Sequence, residues 1–197
     1  MKKIVLASKN SDKVKEIRLA LQDLPVEILS LADFPELPDA VEDGATFEEN
    51  AIIKAKFFAE QTGFACLADD SGLEVDVLNG LPGVHSARFA GYHADDKTNN
   101  QKLLDELAKI GATESNAAYR CALAFVDTDG TEIVTCGKIE GKIKTVAQGT
   151  GGFGYDPYFY IGENRTMAQI SPAEKNQISH RGAALREMIL KLKESFR

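Results

Sequence analysis

The feature that most constrains the fold is an apolar strand that ends on two adjacent carboxylates. Phe64–Ala68 is apolar and of strand length, and Asp69 and Asp70 follow it directly. A small-residue turn is expected at Ser71-Gly72, with a second strand at Leu73–Leu78. Two carboxylates at the end of a buried strand repel each other and lose hydration, so a cation is expected beside them. Oxygen ligands alone suit Mg²⁺, which indicates chemistry on phosphates.

Composition places the chain among soluble enzymes. Its 197 residues, 44% of them hydrophobic, suffice for one large domain or two closely joined lobes. The net charge of −7 argues against a broad nucleic-acid surface, although a small basic pocket for one polyphosphate remains compatible with it. No apolar run approaches the roughly 18 residues of a membrane span. We therefore expect neither a nucleic-acid polymer nor a membrane as partner.

The cysteines and the N-terminus predict a cytoplasmic protein. Cys66, Cys121 and Cys136 are odd in number and lie in or near apolar segments, which favours reduced core residues over disulfides or a zinc site. The N-terminus runs straight into an apolar strand at Lys3–Ser8, so we expect no secretory signal.

The first half of the chain alternates strands and helices. A helix capped by Asn10 or Ser11 follows the first strand. Another helix is predicted over Thr46–Thr62, where Thr46 and Glu49 form a capping box. This order favours an α/β protein with a mixed sheet. A doubly wound nucleotide-binding sheet is less favoured, because no glycine-rich fingerprint follows the first strand.

The second half is richer in hairpins. Ala118–Val126 is apolar on both alternating faces, which predicts a central strand. A turn at Asp127–Gly130 leads into a strand at Thr131–Lys138. Separate strands are predicted at Ile143–Ala147 and Pro157–Ile161.

Two segments of the first half carry residues suited to phosphates. The loop from Ser8 to Lys13 offers hydroxyls, a lysine and helix-start N–H groups, although an ordinary capped helix with a surface lysine has the same pattern. Asn50 and Lys54 share a helix face at i, i+4 spacing, downstream of the acidic residue Glu42. Glu42 and Lys54 are, by default, solvated charges.

Two segments of the second half carry residues suited to a base. Four glycines between Gly149 and Gly154 allow the backbone to approach a ligand closely, and Phe153 and Tyr155 add aromatic faces. Aromatic stacking on a base contributes about 1–3 kcal/mol. Lys175 and the Ser179–Arg181 segment provide donors that would suit keto oxygens; alone they are typical of helix ends.

Taken together and in this order, these segments closely resemble the non-canonical purine nucleoside triphosphate pyrophosphatases, the Ham1-like inosine and xanthosine triphosphate pyrophosphatase family. The resemblance covers essentially the whole chain. It rests on SKNSDK at 8–13, TFEENAIIKA at 46–55, ADDSGLEVDVLNGLPGVHSARFAG at 68–91, GTGGFGYDP at 149–157 and EKNQISHRGAAL at 174–185.

The resemblance implies a fold and an activity. The expected fold is one domain over residues 1–197, with an elongated central mixed sheet flanked by helices and two lobes around an active-site cleft. The implied reaction is hydrolysis of ITP, dITP and XTP to the nucleoside monophosphate and pyrophosphate, which clears deaminated purines from the nucleotide pool. A homodimer is also implied.

The resemblance further implies roles for individual residues. Asp70 would be the general base, and Glu42 and Asp70 would hold Mg²⁺. In place of Glu42, the second ligand could be one of its neighbours in the acidic loop, or Glu49. Lys13 and Lys54 would stabilise charge on the triphosphate, and Asp69 would be a supporting charge. Substrate binding falls to Ser8, Lys9, Asn10, Ser11, Asp12, Lys13, Ser71, Phe153, Gly154, Tyr155, Asp156, Lys175, His180 and Arg181.

Two alternative functions remain open at this stage. Maf-type nucleotide pyrophosphatases have a related architecture, but their early motif typically has a proline and an arginine where this chain has Ser11-Asp12-Lys13. A non-catalytic nucleotide sensor is the other alternative. The Asp69-Asp70 pair argues against it, because a protein that only binds a nucleotide gains little from a base beside a metal.

Overall fold

A computed structural model describes residues 2–196 and contains six strands and five α-helices over that range, together with short 3₁₀ turns. The elements follow one another as β1 (Lys2–Ala7), α1 (Ser11–Leu21), β2 (Val26–Ser30), α2 (Phe47–Thr62), β3 (Ala65–Val75), α3 (Asp96–Lys109), β4 (Glu114–Val126), β5 (Glu132–Lys144), β6 (Phe159–Tyr160), α4 (Pro172–Ile178) and α5 (His180–Ser195).

The strands form one mixed sheet in the order β2-β1-β3-β4-β5-β6. Strand β1 pairs in parallel with both β2 and β3, and Ile4 lies opposite Ile28 on one side and Ala65 on the other. Strands β5 and β6 are antiparallel, with Ile143 opposite Phe159. The predicted mixed sheet flanked by helices is therefore confirmed.

The chain divides into two compact units. The first unit contains the chain up to Asp70, Cys121–Gly137 and the segment from Arg181 onward. The second unit contains Ser71–Arg120 and Lys138–His180. That these units are the two lobes of a single domain stays a prediction.

The first unit has a core between the sheet and two helices. The apolar faces of α1 and α5 pack on alternate residues of β1, β3 and β4. Both faces of β1 are buried, which explains its continuous apolar sequence. The buried residues of this core are Ile4, Leu6, Ile17, Leu21, Leu24, Ala65, Leu67, Cys121, Leu123, Phe125, Ala184, Leu185, Met188 and Leu192.

The second unit has a core of its own. It is built from the C-terminal part of β3, the N-terminal part of β4, the end of β5, helix α3 and the segment around β6. Its members include the aromatic side chains of Tyr119, Tyr155 and Phe159. The remaining buried residues of this core are Leu73, Val75, Leu78, Leu103, Leu107, Ala117, Ile143, Met167 and Ile170.

Two predicted strand breaks are wrong. Strand β3 continues through Ser71-Gly72, and β5 is one strand of 13 residues where two were expected. Gly141 has a specific reason to lie inside β5, because a Cβ at this position would come within 2.8 Å of the Phe159 ring. The glycine allows the close approach of β6 and does not end the strand.

The helix starts agree well with the sequence, because a cap is a local contact. The Asn10 side chain caps α1 by accepting from the backbone N–H groups of Asp12 and Lys13. Thr46 caps α2 by accepting from Glu49 N, whereas the Glu49 carboxylate accepts from Ala45 N, one residue before the cap. Within residues 2–196 no helix is long and apolar enough to cross a membrane.

Candidate functional site

The loop from Ser8 to Lys13 forms the start of α1. Asn10 holds the first turn, and the Ser8 hydroxyl accepts from the Asn10 backbone at 3.2 Å. Lys9 is exposed and pairs with Asp39 at 2.5 Å. The loop therefore presents helix-start N–H groups and hydroxyls, as the sequence predicted, while its lysines already have carboxylate partners in this structure.

Lys13 and Arg181 hold the Asp69 carboxylate from two sides. Lys13 Nζ lies 2.5 Å from Asp69 Oδ1, and Arg181 Nε lies 2.7 Å from Asp69 Oδ2. Arg181 Nη1 also contacts Glu16 Oε2 at 2.5 Å. Asp69 and Arg181 are 2% and 1% exposed, so the centre of this network is buried, whereas Lys13 and Glu16 are partly exposed. The network belongs wholly to the first unit.

The two adjacent carboxyls titrate in opposite directions. Burial opposes the charged form of Asp69, but Arg181 and Lys13 outweigh it and hold the pKa of that carboxyl well below its usual range. Burial raises the pKa of Asp70 to about 6, against the lowering effects of Lys54 and Lys13, and the negative charges of Glu42 and Asp69 add to the rise. Asp69 is thus a permanent anion, whereas Asp70 can exchange a proton near neutral pH.

The acidic loop before α2 is held by one face of that helix. Lys54 Nζ pairs with Glu42 Oε2 at 2.7 Å and donates to the Asp69 carbonyl at 3.1 Å. One turn earlier, the buried Asn50 side chain accepts from Gly44 N at 2.8 Å. The i, i+4 pair noted in the sequence therefore fixes the segment that carries Glu42.

The chemistry of the acidic residues fits a Mg²⁺ ion. Asp70 Oδ2 is buried and has no hydrogen-bond partner in the described part of the chain. Such an orphaned carboxylate oxygen, with the Glu42 charge acting on it, offers the hard oxygen ligand that Mg²⁺ prefers. Across residues 2–196 no group of three or more His, Cys, Asp or Glu side chains could hold a metal. Two carboxylates still suffice for Mg²⁺, which usually takes its other ligands from water and phosphates.

In the second unit, the glycine-rich loop is organised around Asp156. Asp156 Oδ2 accepts from Lys175 Nζ at 2.6 Å and from Phe153 N at 3.0 Å. Asp156 Oδ1 accepts from the Tyr119 hydroxyl at 3.2 Å. Lys175 Nζ also lies 4.3 Å from the centre of the Phe153 ring, close enough for a cation–π interaction. The structure thus brings Asp156, Phe153 and Lys175 together, and their role in substrate binding stays a prediction.

Helix α3 holds the same loop at Gly154. Gly154 N donates to Asp96 Oδ2 at 2.6 Å, and Asn100 Nδ2 donates to Gly154 O at 2.9 Å. The neighbouring Tyr155 is buried, and its hydroxyl donates to Ser86 O at 2.7 Å. One helix face therefore holds both backbone polar groups of Gly154, its N–H and its C=O.

The residues that the sequence grouped as one set of donors are divided between the two units. Lys175 and His180 lie in the second unit, and the His180 ring stacks on Tyr119 at 4.8 Å. Arg181 lies in the first unit, where it holds Asp69 and Glu16. These contacts give Arg181 a role at the acidic cluster that was not expected; its role at the purine stays a prediction.

The remaining predicted residues divide between the units in the same way. Lys9, Ser11 and Asp12 belong to the first unit, and Asp12 pairs there with Lys15 at 2.9 Å. Ser71 belongs to the second unit and lies within β3.

Sequence reasoning missed Glu16, Asp96, Asn100 and Tyr119. For Glu16 a signal existed, since it lies three residues after Lys13 and shares its helix face. Asp96 and Asn100 are also one turn apart. No local pattern marks Tyr119, which looks like an ordinary strand residue.

Comparison with known proteins identifies the family. The profile of the Ham1 family matches residues 4–191. A protein of Geobacter sulfurreducens named dITP/XTP pyrophosphatase is 48% identical over 186 residues, which is 94% of each chain. A protein of the same name from Streptomyces coelicolor is 46% identical over 197 residues, 98% of each chain.

Solved structures agree with this assignment. The HAM1 protein of Coxiella burnetii superposes with a TM-score of 0.88 at 43% identity, covering 98% of this chain and 100% of that one. The nucleoside-triphosphatase / dITP/XTP pyrophosphatase of Mycobacterium abscessus gives a TM-score of 0.73 at 45% identity, covering 94% and 97%. In sequence and in fold, this chain belongs to the Ham1 family.

Proposed function

We propose that this protein hydrolyses dITP, ITP and XTP between the α- and β-phosphates, releasing the nucleoside monophosphate and pyrophosphate. The observation that carries the proposal is the contrast between two neighbouring carboxyls. Asp69 is neutralised by Lys13 and Arg181, whereas Asp70 keeps a buried oxygen without a hydrogen-bond partner and a pKa of about 6. The name of the relatives, dITP/XTP pyrophosphatase, supports dITP and XTP among these substrates.

Asp70 would accept the proton of the attacking water. A general base works best when its pKa lies near the working pH, because it is then ionised and still basic. Burial raises the pKa of Asp70 toward this range in the metal-free protein, and a bound Mg²⁺ would favour the ionised form that accepts a proton. Asp69 would remain charged and would hold the Lys13 side chain in place beside it.

Glu42 and Asp70 would hold Mg²⁺, which when bound neutralises phosphate charge and acidifies a bound water. Lys54 would keep Glu42 in place through its 2.7 Å ion pair. Lys13 and Lys54 would stabilise negative charge on the triphosphate as the bond breaks, as cationic side chains do in phosphoryl transfer. Ser8, Asn10 and Ser71 would position phosphate oxygens.

The second-unit residues would read the purine. Phe153 would stack on the base, and Lys175 and His180 would donate to the 6-keto oxygen. Adenine presents an amino group at that position, so donor would face donor, and a buried unpaired donor costs about 1–3 kcal/mol. Several such contacts together allow discrimination of roughly 10⁴-fold or more.

Pyrophosphate release from dITP, XTP, GTP, ATP and TTP, with Mg²⁺ and with EDTA, tests the proposal. Metal-dependent release that strongly favours dITP and XTP is the expected result. Release mainly from TTP would indicate a Maf-like enzyme instead. Binding of nucleotides without any release would indicate a sensor.

We also propose that the protein acts as a homodimer in the cytoplasm, where the nucleotide pool is used by polymerases. The homodimer rests on the family resemblance. Light scattering coupled to gel filtration checks it: a mass near twice 21.4 kDa is expected, and a mass of one chain contradicts it.

A further inference from the structure

The Asp156 carboxylate accepts three hydrogen bonds at the glycine-rich loop. The residue is 2% exposed, and its carboxylate receives an ammonium, a backbone N–H and a phenol hydroxyl. A buried carboxylate needs such partners, because it has lost its hydration. Gly152 packs against the same carboxylate, since a Cβ at this position would lie 2.1 Å from Asp156 Oδ2.

Tyr119 has two contacts in this region. Its hydroxyl donates to the Asp156 carboxylate, and its ring stacks on the ring of His180. The Tyr119 ring lies 4.8 Å from the His180 ring, with an angle of 16° between their planes, and 4.4 Å from the Phe159 ring. Tyr119 is 7% exposed. Burial, followed by the charge of Asp156, raises the pKa of the phenol well above its usual value, so the hydroxyl keeps its proton and remains a donor.

We propose that Tyr119 is a positioning residue for purine recognition: its hydroxyl orients the Asp156 carboxylate, and its ring sets the plane of His180. This inference rests on the proposed function, in which Phe153, Lys175 and His180 read the base. Tyr119 itself touches no substrate in this scheme. It acts through the two neighbours that it contacts.

The geometry of the carboxylate explains how one hydroxyl has this effect. A carboxylate is planar, so rotation about its bond to Cβ moves both oxygens together. The hydroxyl of Tyr119 holds Oδ1, and it thereby keeps Oδ2 in reach of Phe153 N and Lys175 Nζ. Without the hydroxyl the carboxylate gains freedom to rotate, and the stacking ring and the ammonium lose their common anchor.

Tyr119→Phe tests the proposal with little disturbance of the core, because the ring is retained. Tyr160→Phe is the matched control: it also removes a hydroxyl hydrogen bond in the same unit, but that bond is made to Val146 O at 2.8 Å and not to Asp156. Each variant is assayed for pyrophosphate release from dITP, XTP and dATP, and its urea unfolding midpoint is measured beside the wild type.

The loss of one hydrogen bond sets the expected size of the effect. Tyr119→Phe is expected to raise KM for dITP by roughly 3- to 10-fold and to lower the dITP to dATP ratio of kcat/KM by a similar factor. Its kcat should stay within about twofold, since the reacting phosphates are not touched. Tyr160→Phe is expected to leave KM and the ratio unchanged, although both variants shift the urea midpoint similarly.

Calorimetric binding of IMP and AMP gives a second readout that requires no turnover. Weaker IMP binding by Tyr119→Phe, with unchanged IMP binding by Tyr160→Phe, supports the positioning role. Unchanged KM, base ratio and IMP affinity in Tyr119→Phe would overturn it, as would equal changes in both variants. If the wild type releases pyrophosphate from neither dITP nor XTP, the proposed function itself fails and the positioning role with it, which is a distinct result.

Discussion

Replacing Arg181 with methionine should lower the free energy of unfolding more than the loss of a surface ion pair does. Arg181 is 1% exposed and holds Asp69 Oδ2 at 2.7 Å and Glu16 Oε2 at 2.5 Å. Methionine fills much of the same volume with an apolar chain. It would leave the buried Asp69 with Lys13 as its remaining charged contact among those described above.

The expected loss of unfolding free energy follows from the burial of Asp69 and Arg181. Removing one partner of a buried ion pair typically costs about 3–5 kcal/mol, because the other charge stays buried without compensation. Lys13 keeps its contact with Asp69 Oδ1, so the lower half of that range is expected, about 3 kcal/mol. Arg165→Met is the control: it breaks a 2.7 Å pair with Glu174 whose side chains are 50% and 37% exposed, and should cost about 0–1 kcal/mol.

Urea unfolding followed by circular dichroism measures both variants at pH 7. The free energy of unfolding should fall clearly more for Arg181→Met than for Arg165→Met, with similar m-values. A double variant that adds Asp69→Asn should lose less stability than the sum of the single changes, because the neutral amide no longer needs a cation. Equal losses for the two arginine variants, or strict additivity with Asp69→Asn, would refute the idea that Arg181 compensates a buried charge.

Three further outcomes are expected. Asp70→Asn should fold normally but lose pyrophosphate release by about 10²-fold or more, because it removes the base and a metal ligand together; near-wild-type release would exclude Asp70 as the base. Lys54→Ala should lower kcat by about 10²-fold, and because Lys54 is largely buried against Glu42 and the Asp69 carbonyl it should also lower the unfolding free energy by about 1–3 kcal/mol; an unfolding loss with an unchanged kcat in the folded variant would favour a purely structural role. A thiol reagent should label only Cys136 in the native protein, since Cys66 and Cys121 are buried and burial raises the pKa of Cys66 to about 12. Labelling of all three before unfolding would show that the first-unit core opens readily.

Local signals account for what the sequence predicted well. The helix starts at Asn10 and Thr46 were predictable because the capping side chain and its N–H partner lie within three residues. The apolar runs of β1 and β4 were predictable because both faces of these strands are buried.

Long-range contacts account for the errors. Ser71-Gly72 has the composition of a turn, yet the strand continues through it, and Leu73 N donates to the buried Ser86 hydroxyl 13 residues away. Two strands were predicted where β5 is one, and Gly141 lies inside this strand because the Phe159 ring occupies the place of a side chain. Tyr119 and Asp156 are 37 residues apart, so no local pattern could join them.

The sequence by itself determined that two carboxylates follow a buried strand and that lysines and a glycine-rich loop accompany them. Only the tertiary structure decided which carboxylate does what. Successive residues of a strand point to opposite faces, so Asp69 and Asp70 meet different surroundings. Arg181 reaches Asp69 from 112 positions away and holds it as a fixed anion, whereas burial beside Glu42 leaves Asp70 able to take up a proton. A pKa depends on the burial and charges around a group, and those are set by contacts that no sequence spacing records.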